Sequence, residues 1–393
     1  MKTKSTKAKF ADLALHNVNM DYDNLKYWIA LKSIPGIGNV TFSALMDKFG
    51  SGPAIFAAPV SHLKEVRGFS KEIATAVTSF KDWDNVKKEF ELIDKNKVNI
   101  ITYQDELYPR KLLNIYDRPP FIYVRGHLHE EDINIAIVGS RMASTYGKYT
   151  TERISRELAL KGLTIVSGMA RGIDSAAHRG AVEAHGKTIA VLGSGLDVIY
   201  PPENKNLFDD IIQNGAVISE FPLGTPPRPA NFPTRNRIIS GMSYGVVIVE
   251  AGVKSGSLIT AGLALEQGRE VFAVPGSIDA AGSRGTNKLI KQGAKLIENI
   301  DDILEEILPQ IEQRTTLKPP LDSNFEDMTN NHAETLNEAD QKIIDFITKS
   351  RIHVDDLISS TGLSSAYILS ALTTMELKGI VTQHPGKFFS LKK

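Results

Sequence analysis

Cysteine is absent from the 393-residue chain. That excludes disulfides, thiolate metal sites and a cysteine nucleophile, and it fits a reducing, cytoplasmic setting. Long apolar runs are also missing. No stretch approaches the roughly 20 apolar residues of a spanning helix, so no membrane association is expected. The start of the chain is basic but lacks a continuous apolar centre, so no secretory signal is expected. Net charge is missing as well: 46 Lys+Arg stand against 46 Asp+Glu. A polycation that coats a phosphate polymer by bulk charge is therefore excluded. Any such binding must rest on a local arrangement of cations. The signatures of common catalytic sets are absent too. There is no Gly-x-x-x-x-Gly-Lys-Ser/Thr loop, no Gly-x-Ser-x-Gly elbow and no His/Glu zinc motif. No enzyme, cofactor or metal is expected.

What is present is ordinary globular composition, 42% hydrophobic and 23% charged, enough for two to four domains. Residues 1–23 read as a disordered basic N-terminus. Residues 24–104 read as a helical domain of helix-hairpin-helix type. Leu25, Trp28, Ile29 and Leu31 share one helix face. The string Ile34-Pro35-Gly36-Ile37-Gly38 then separates them from Val40, Phe42, Leu45, Met46 and Phe49. Val66-Arg67-Gly68-Phe69-Ser70 is a weaker echo. Such a hairpin either presents backbone N–H groups to a phosphate or simply makes a tight turn.

Residues 105–308 alternate apolar runs with helical patterns. The runs are Ile133–Val138, Leu163–Ser167, Thr188–Leu192, Ala216–Ser219, Val246–Val249, Val271–Val274 and Lys295–Ile297. Helix patterns fall at 147–161, 174–185, 203–214, 234–241, 257–267 and 285–293. Continuous apolar strands alternating with helices predict an α/β fold: a Rossmann-like, doubly wound, mostly parallel sheet. Residues 309–334 hold two basic and five acidic residues with Pro319-Pro320 and read as a flexible linker. Residues 335–393 read as three helices, 338–349, 353–360 and 364–378, with a two-stranded hairpin around His384-Pro385-Gly386, a winged helix. Its third helix carries Ser364, Ser365, Ser370, Thr373 and Thr374 with Lys378 as its one cation. That is poor in base-reading side chains, so DNA contact and protein docking both stay open.

In a doubly wound sheet the ligand crevice lies beyond the carboxyl ends of the strands. Four segments end strands there. Gly139-Ser140-Arg141 combines close backbone approach, a hydroxyl and a bidentate cation, suited to a phosphate oxygen. Ser167–His178 offers Arg171 as a further phosphate candidate, with Asp174 and His178 read as an internal hydrogen-bonded pair. Leu192-Gly193-Ser194-Gly195 is a weaker glycine loop, followed by Tyr200-Pro201-Pro202. Arg228, Phe232, Arg235, Asn236 and Arg237 place three arginines and a ring within ten residues with no acid among them. Cations that track a backbone beside a ring that stacks a base suit a single-stranded nucleic acid. Small-residue loops at Glu250-Ala251-Gly252 and Ser255–Thr260 follow. The glycine loops and Glu250 leave open a nucleotide-acting enzyme of phosphoribohydrolase type. The winged helix leaves open a DNA-binding regulator.

Several strings, in this order, resemble the bacterial DNA-processing protein A (DprA/Smf) family. They are IAIVGSR at 135–141, IVSGMARGIDSAAH at 165–178, TIAVLGSGLDVIYPPEN at 188–204, FPTRNRIISG at 232–241, VVIVEAGVKSGSLITA at 246–261 and EQGREVFAVPG at 266–276. The resemblance implies a non-catalytic protein that binds and protects incoming single-stranded DNA and loads the RecA recombinase in transformation and recombination. It implies a homodimer formed through the Rossmann-like domain. It carries the phosphate role to Gly139, Ser140 and Arg141 and the DNA-binding role to Arg228, Phe232, Arg235 and Arg237. Some relatives have a lysine beside the Tyr-Pro step; this chain has Pro201-Pro202, with Lys205 the nearest lysine.

Overall fold

The computed structural model describes residues 22–316 and, further on, 338–347, 352–361, 381–384 and 388–391, with residues 368, 371, 372 and 375 between them. The expected N-terminal tail, up to residue 21, lies outside the described residues, as does 317–337. The described residues form two compact units, one before and one after residue 318.

The first unit opens with six helices: α1 (Tyr22–Ser33), α2 (Asn39–Phe49), α3 (Gly52–Ala57), α4 (Val60–Leu63), α5 (Lys71–Thr78) and α6 (Trp83–Lys95). Trp28, Leu31, Phe42, Leu45, Ile55, Leu63 and Ile93 are fully buried between them. The 34–38 string is the α1–α2 turn. Gly36 has φ +91°, and a Cβ there would press on Ile73. At the amino end of α2 the Asn39 side chain donates to Glu220 Oε1 at 2.9 Å and to the Asp117 carbonyl at 2.9 Å. No side chain caps the first N–H groups of α2, so both alternatives for this hairpin stay open. The helical core is continuous with Leu192, Phe208 and Val217 of the following region, so both share one interior.

Nine strands form one sheet: β1 (Asn99–Thr102), β2 (Phe121–Gly126), β3 (Asn134–Val138), β4 (Thr164–Ser167), β5 (Thr188–Leu192), β6 (Gly215–Ser219), β7 (Gly245–Ile248), β8 (Glu270–Ala273) and β9 (Lys295–Leu296). Their order is β1-β2-β6-β5-β4-β3-β7-β8-β9. The seven strands from β6 to β9 are parallel and coincide with the seven apolar runs. The antiparallel pair β1–β2 is an addition. It places 99–104 in or beside the sheet rather than in a helical domain.

Between the strands run α7 (Thr145–Leu160), α8 (Ile173–Glu183), α9 (Lys205–Asn214), α10 (Asn231–Gly241), α11 (Gly256–Glu266) and α12 (Arg284–Lys291), and α13 (Asp301–Thr316) follows β9. Strand side chains alternate between two cores. Ile135 and Ile137 meet Ile154, Leu158 and Ala177 on one face, while Ala136 and Val138 meet Ile238, Ile239 and Ala261 on the other. Burial on both faces is why these strands read as unbroken apolar runs. The expected linker starts inside α13, which contains Pro309. Ile303 and Ile307 are fully buried, and this packing carries the helix into the proline.

The chain winds outward from β3 to β6, crosses back through α10 and continues from β7 to β9. Neighbours β3 and β7 therefore flank the topological switch point, where a doubly wound sheet opens a crevice.

In the second unit, α14 (Glu338–Ile347), α15 (Val354–Thr361) and strands β10 (Ile352–His353), β11 (Val381–His384) and β12 (Phe388–Leu391) enclose Ile343, Ile347, Leu357, Leu372 and Phe389. The wing is a three-stranded sheet, β10-β12-β11, rather than a two-stranded hairpin. Two residues of β10 are too few to leave a sequence pattern. The polar positions of the third helix and its Lys378 lie outside the described residues. Among the described residues no helix is long and apolar enough to cross a membrane.

Candidate nucleic-acid interface

Beyond the carboxyl ends of β3 and β7 lies a cleft of about 750 Å³. Its first wall is Gly139-Ser140-Arg141. Gly139 passes between Ile173 Cγ1 and the Glu250 carbonyl, which would lie 2.7 and 2.9 Å from a Cβ. Gly172, at φ +78°, closes on the Ser140 carbonyl, which accepts from Ile173 N at 3.1 Å. Ser140 Oγ accepts from Met142 N at 3.1 Å. The Arg141 side chain stays exposed, its guanidinium carbon 5.0 Å from the Phe232 ring centroid. Tyr200 meets the same ring at 5.8 Å. A cation beside a ring at the mouth of a cleft offers both a phosphate partner and a stacking face.

The second wall is α10, and here the helix sorts the arginines. The helix expected from 234 starts at Asn231, and two residues along it Arg235 and Arg237 point about 200° apart. Phe232, Arg235, Asn236 and Ile239 line the cleft. Arg235 is only 3% exposed. It donates to the carbonyls of Gly168, at 2.8 Å, and Val191, and to Asn236 Oδ1 at 3.2 Å. Burial pushes its guanidinium down to about 10, partly opposed by the Asp174 carboxylate. It remains a cation, but one that clamps the ends of β4 and β5 from the cleft floor.

Arg237 turns away altogether. It is 6% exposed and pairs with Glu220 and with Asp117, its Nε 3.1 Å from Asp117 Oδ2. Arg171 is exposed and ion-paired with exposed Glu203. Lys205, the first residue of α9, is also exposed, and neither residue lines the cleft. Arg228 is exposed between Pro227 and Pro229, which do line it. Of the candidates, the structure thus gathers Gly139, Ser140, Arg141, Phe232, Arg235 and Asn236 around one cleft and sets Arg228 at its edge.

Lys254 lines the third wall and is exposed there. It lies within the Glu250–Thr260 stretch, read earlier for its small residues alone. Glu250 itself accepts from Ser144 N at 2.9 Å and from Ser144 Oγ, which in turn caps α7 by accepting from Gly147 N at 3.0 Å. The carboxylate thus anchors the start of α7.

Asp174 and His178 are not an internal pair. Asp174 Oδ2 faces Ala170 N at 3.4 Å, and burial pushes its carboxyl up. His178 Nδ1 meets Thr188 Oγ1 at 2.7 Å. The Thr188 hydroxyl donates to the Ile165 carbonyl, so the imidazole donates from Nδ1. Complete burial holds His178 down at about 3, against a usual 6.5. The unfolded chain takes a proton below pH 6.5 that the native state refuses until about pH 3. Stability is therefore full above pH 6.5 and falls as pH drops through that window. Wild type should lose about 2 kcal/mol more than His178→Gln between pH 7 and 5 in urea unfolding. Equal losses would refute the assignment. Among the described residues no three His, Asp or Glu are grouped to hold a metal.

Comparison with known proteins adds an independent line. Residues 99–308 match the family described as DNA recombination-mediator protein A, and residues 329–387 match the DprA winged helix domain. The chain is 34% identical over 385 residues to Protein Smf of Synechocystis sp., covering 92% of this chain and 97% of that one. The crystal structure of DNA processing protein A from Streptococcus pneumoniae superimposes with a TM-score of 0.63 at 37% identity, over 72% of this chain and 98% of that one. DNA processing protein A from Helicobacter pylori, whose structure was described for its single-stranded DNA binding mode, gives 0.50 at 32% identity, over 55% and 97%.

Proposed function

Because the chain belongs to the DNA recombination-mediator protein A family, which includes proteins named DprA and Smf, we propose that it binds single-stranded DNA in the switch-point cleft without acting on it chemically, and hands the strand to the RecA recombinase during transformation and recombination. The observation that carries this reading is the exposed Arg141 guanidinium beside Phe232 in that cleft. Gly139 and Ser140 shape the loop, Lys254 and Arg228 add cations at the rim, and Arg235 contributes positive potential from the floor. Such a site recognises a flexible strand whose bases are free to stack, not a stiff duplex. The Helicobacter pylori relative's single-stranded DNA binding supports this reading. The acting form is a homodimer joined through the Rossmann-like domain. Its support is α11, where Leu265 is 63% exposed outside the cleft.

One sedimentation-velocity experiment on the full chain tests both statements. Alone, the protein should run at twice the mass of one chain. Mixed with labelled oligo-dT and labelled duplex, it should carry the oligo-dT and leave the duplex behind. Equal capture of duplex would defeat the single-strand reading, and a single-chain mass would defeat the dimer.

A further inference from the structure

The loop that ends the phosphate wall runs into the first turns of α7, and this stretch exposes large side chains the cleft does not use. Met142 is 93% exposed, Tyr146 57% and Tyr149 66%. Tyr146 and Tyr149, three residues apart, share one helix face with Cβ atoms about 5–6 Å apart. Exposed helix positions ordinarily carry charged or small residues, because an aromatic ring there has middling helix propensity and gains no burial.

The helix start is not loose. Ser144 caps it, Glu250 grips Ser144, and Thr150, Thr151 and Ile154 on the other side are buried. The rings therefore stand on a fixed base. Met142 itself lines the cleft next to Arg141, so the patch is continuous with the cleft rather than a separate surface. Residues 139–151 carry Arg141 and Lys148 and no acid, and Glu152, the next residue, is paired with Arg179 at 3.2 Å. Rings, nearby cations and continuity with the Arg141 cleft together fit one occupant.

We infer that Met142, Tyr146 and Tyr149 form a stacking platform for unpaired bases of the DNA strand as it leaves the Arg141 cleft. The inference rests on the single-strand reading above and extends the site by at least two bases. It makes the protein read the presence of bases as well as phosphates, so an abasic strand of equal charge is a poorer ligand.

The test uses the full chain and anisotropy of labelled oligo-dT of about 20 nucleotides, against an oligonucleotide of the same length with abasic sites. Alanine at a stacking ring weakens binding roughly 5- to 150-fold per base. The double variant Tyr146→Ala/Tyr149→Ala should therefore bind oligo-dT at least about tenfold more weakly than wild type. On the abasic strand the two proteins should bind alike. The variant with phenylalanine at both positions should restore binding, since stacking needs the ring and not the hydroxyl. Unchanged oligo-dT affinity in the alanine variant, while Arg141→Ala loses affinity, overturns the platform and leaves the single-strand reading standing. An equal loss on both strands also overturns it, because the effect would then not depend on bases. So does an unchanged affinity with a changed sedimentation mass, which would assign the patch to a second copy of the chain. If wild type does not prefer single strands over duplex, the underlying reading fails first.

Discussion

Arg141→Ala is expected to weaken binding of oligo-dT roughly tenfold to over a hundredfold, the span that about 1.5–3 kcal/mol for a charge-assisted hydrogen bond implies. The loss should be the same on every sequence, because a phosphate carries no base identity. The slope of log affinity against log salt should shrink by about 0.7, one phosphate contact fewer on a single strand. Native stability should hold, since the side chain is exposed and donates to no protein group that needs it. Arg141→Lys should recover only part of the loss. Lysine keeps the charge but gives up the planar fork and the guanidinium face beside Phe232. Unchanged oligo-dT binding by Arg141→Ala would remove the residue from the site and with it the main support for the cleft.

That experiment isolates Arg141 because the fold has already sorted the cations, and the sorting shows where the sequence was and was not legible. The seven parallel strands were plain, since short apolar runs rich in Val and Ile alternate with longer helical patterns. The loop at Gly139–Arg141 was equally plain: glycine at the end of an apolar run and before a helical pattern is a local signal. The β1–β2 pair was not, although Phe121-Ile122-Tyr123-Val124 is an apolar run of the right kind. Its place depends on antiparallel pairing with β6, more than ninety residues away.

The burial of Arg235 and Arg237 was not legible for a related reason. A short stretch with three cations and no acid looks like a surface, yet the partners of Arg235 are carbonyls of Gly168 and Val191 and those of Arg237 are Asp117 and Glu220. None of these can be seen within the motif. Lys254 was missed from the opposite direction: a lone lysine among small residues has no pattern, and only the closing of β7 onto β3 brings it to the cleft.

Arg237 supplies the converse case. Its side chain and that of Glu220 are each 7% exposed. Glu220 also accepts from Asn39 at 2.9 Å and faces Lys32 at 3.9 Å, whose ammonium burial pushes below the usual lysine range, an effect Glu220 partly offsets. The network ties the start of α2 to α10. Removing one member of a buried pair strands the other, so Arg237→Met should cost about 3–5 kcal/mol. At roughly 2–4 °C per kcal/mol for a domain of this size, Tm should fall by about 10 °C. Adding Glu220→Leu should return little of that, because Lys32 and Asn39 then lose the carboxylate they share with Arg237. The destabilisation should barely change with salt, as buried pairs are poorly screened. DNA affinity can fall with the displaced α10, but the salt slope of whatever binding remains should stay at the wild-type value. Two arginines that look alike in the sequence thus separate on two measurements: Arg141→Ala lowers the salt slope and spares Tm, and Arg237→Met lowers Tm and spares the slope. A reduced slope in Arg237→Met at unchanged Tm would place Arg237 on the DNA and contradict its burial against Glu220.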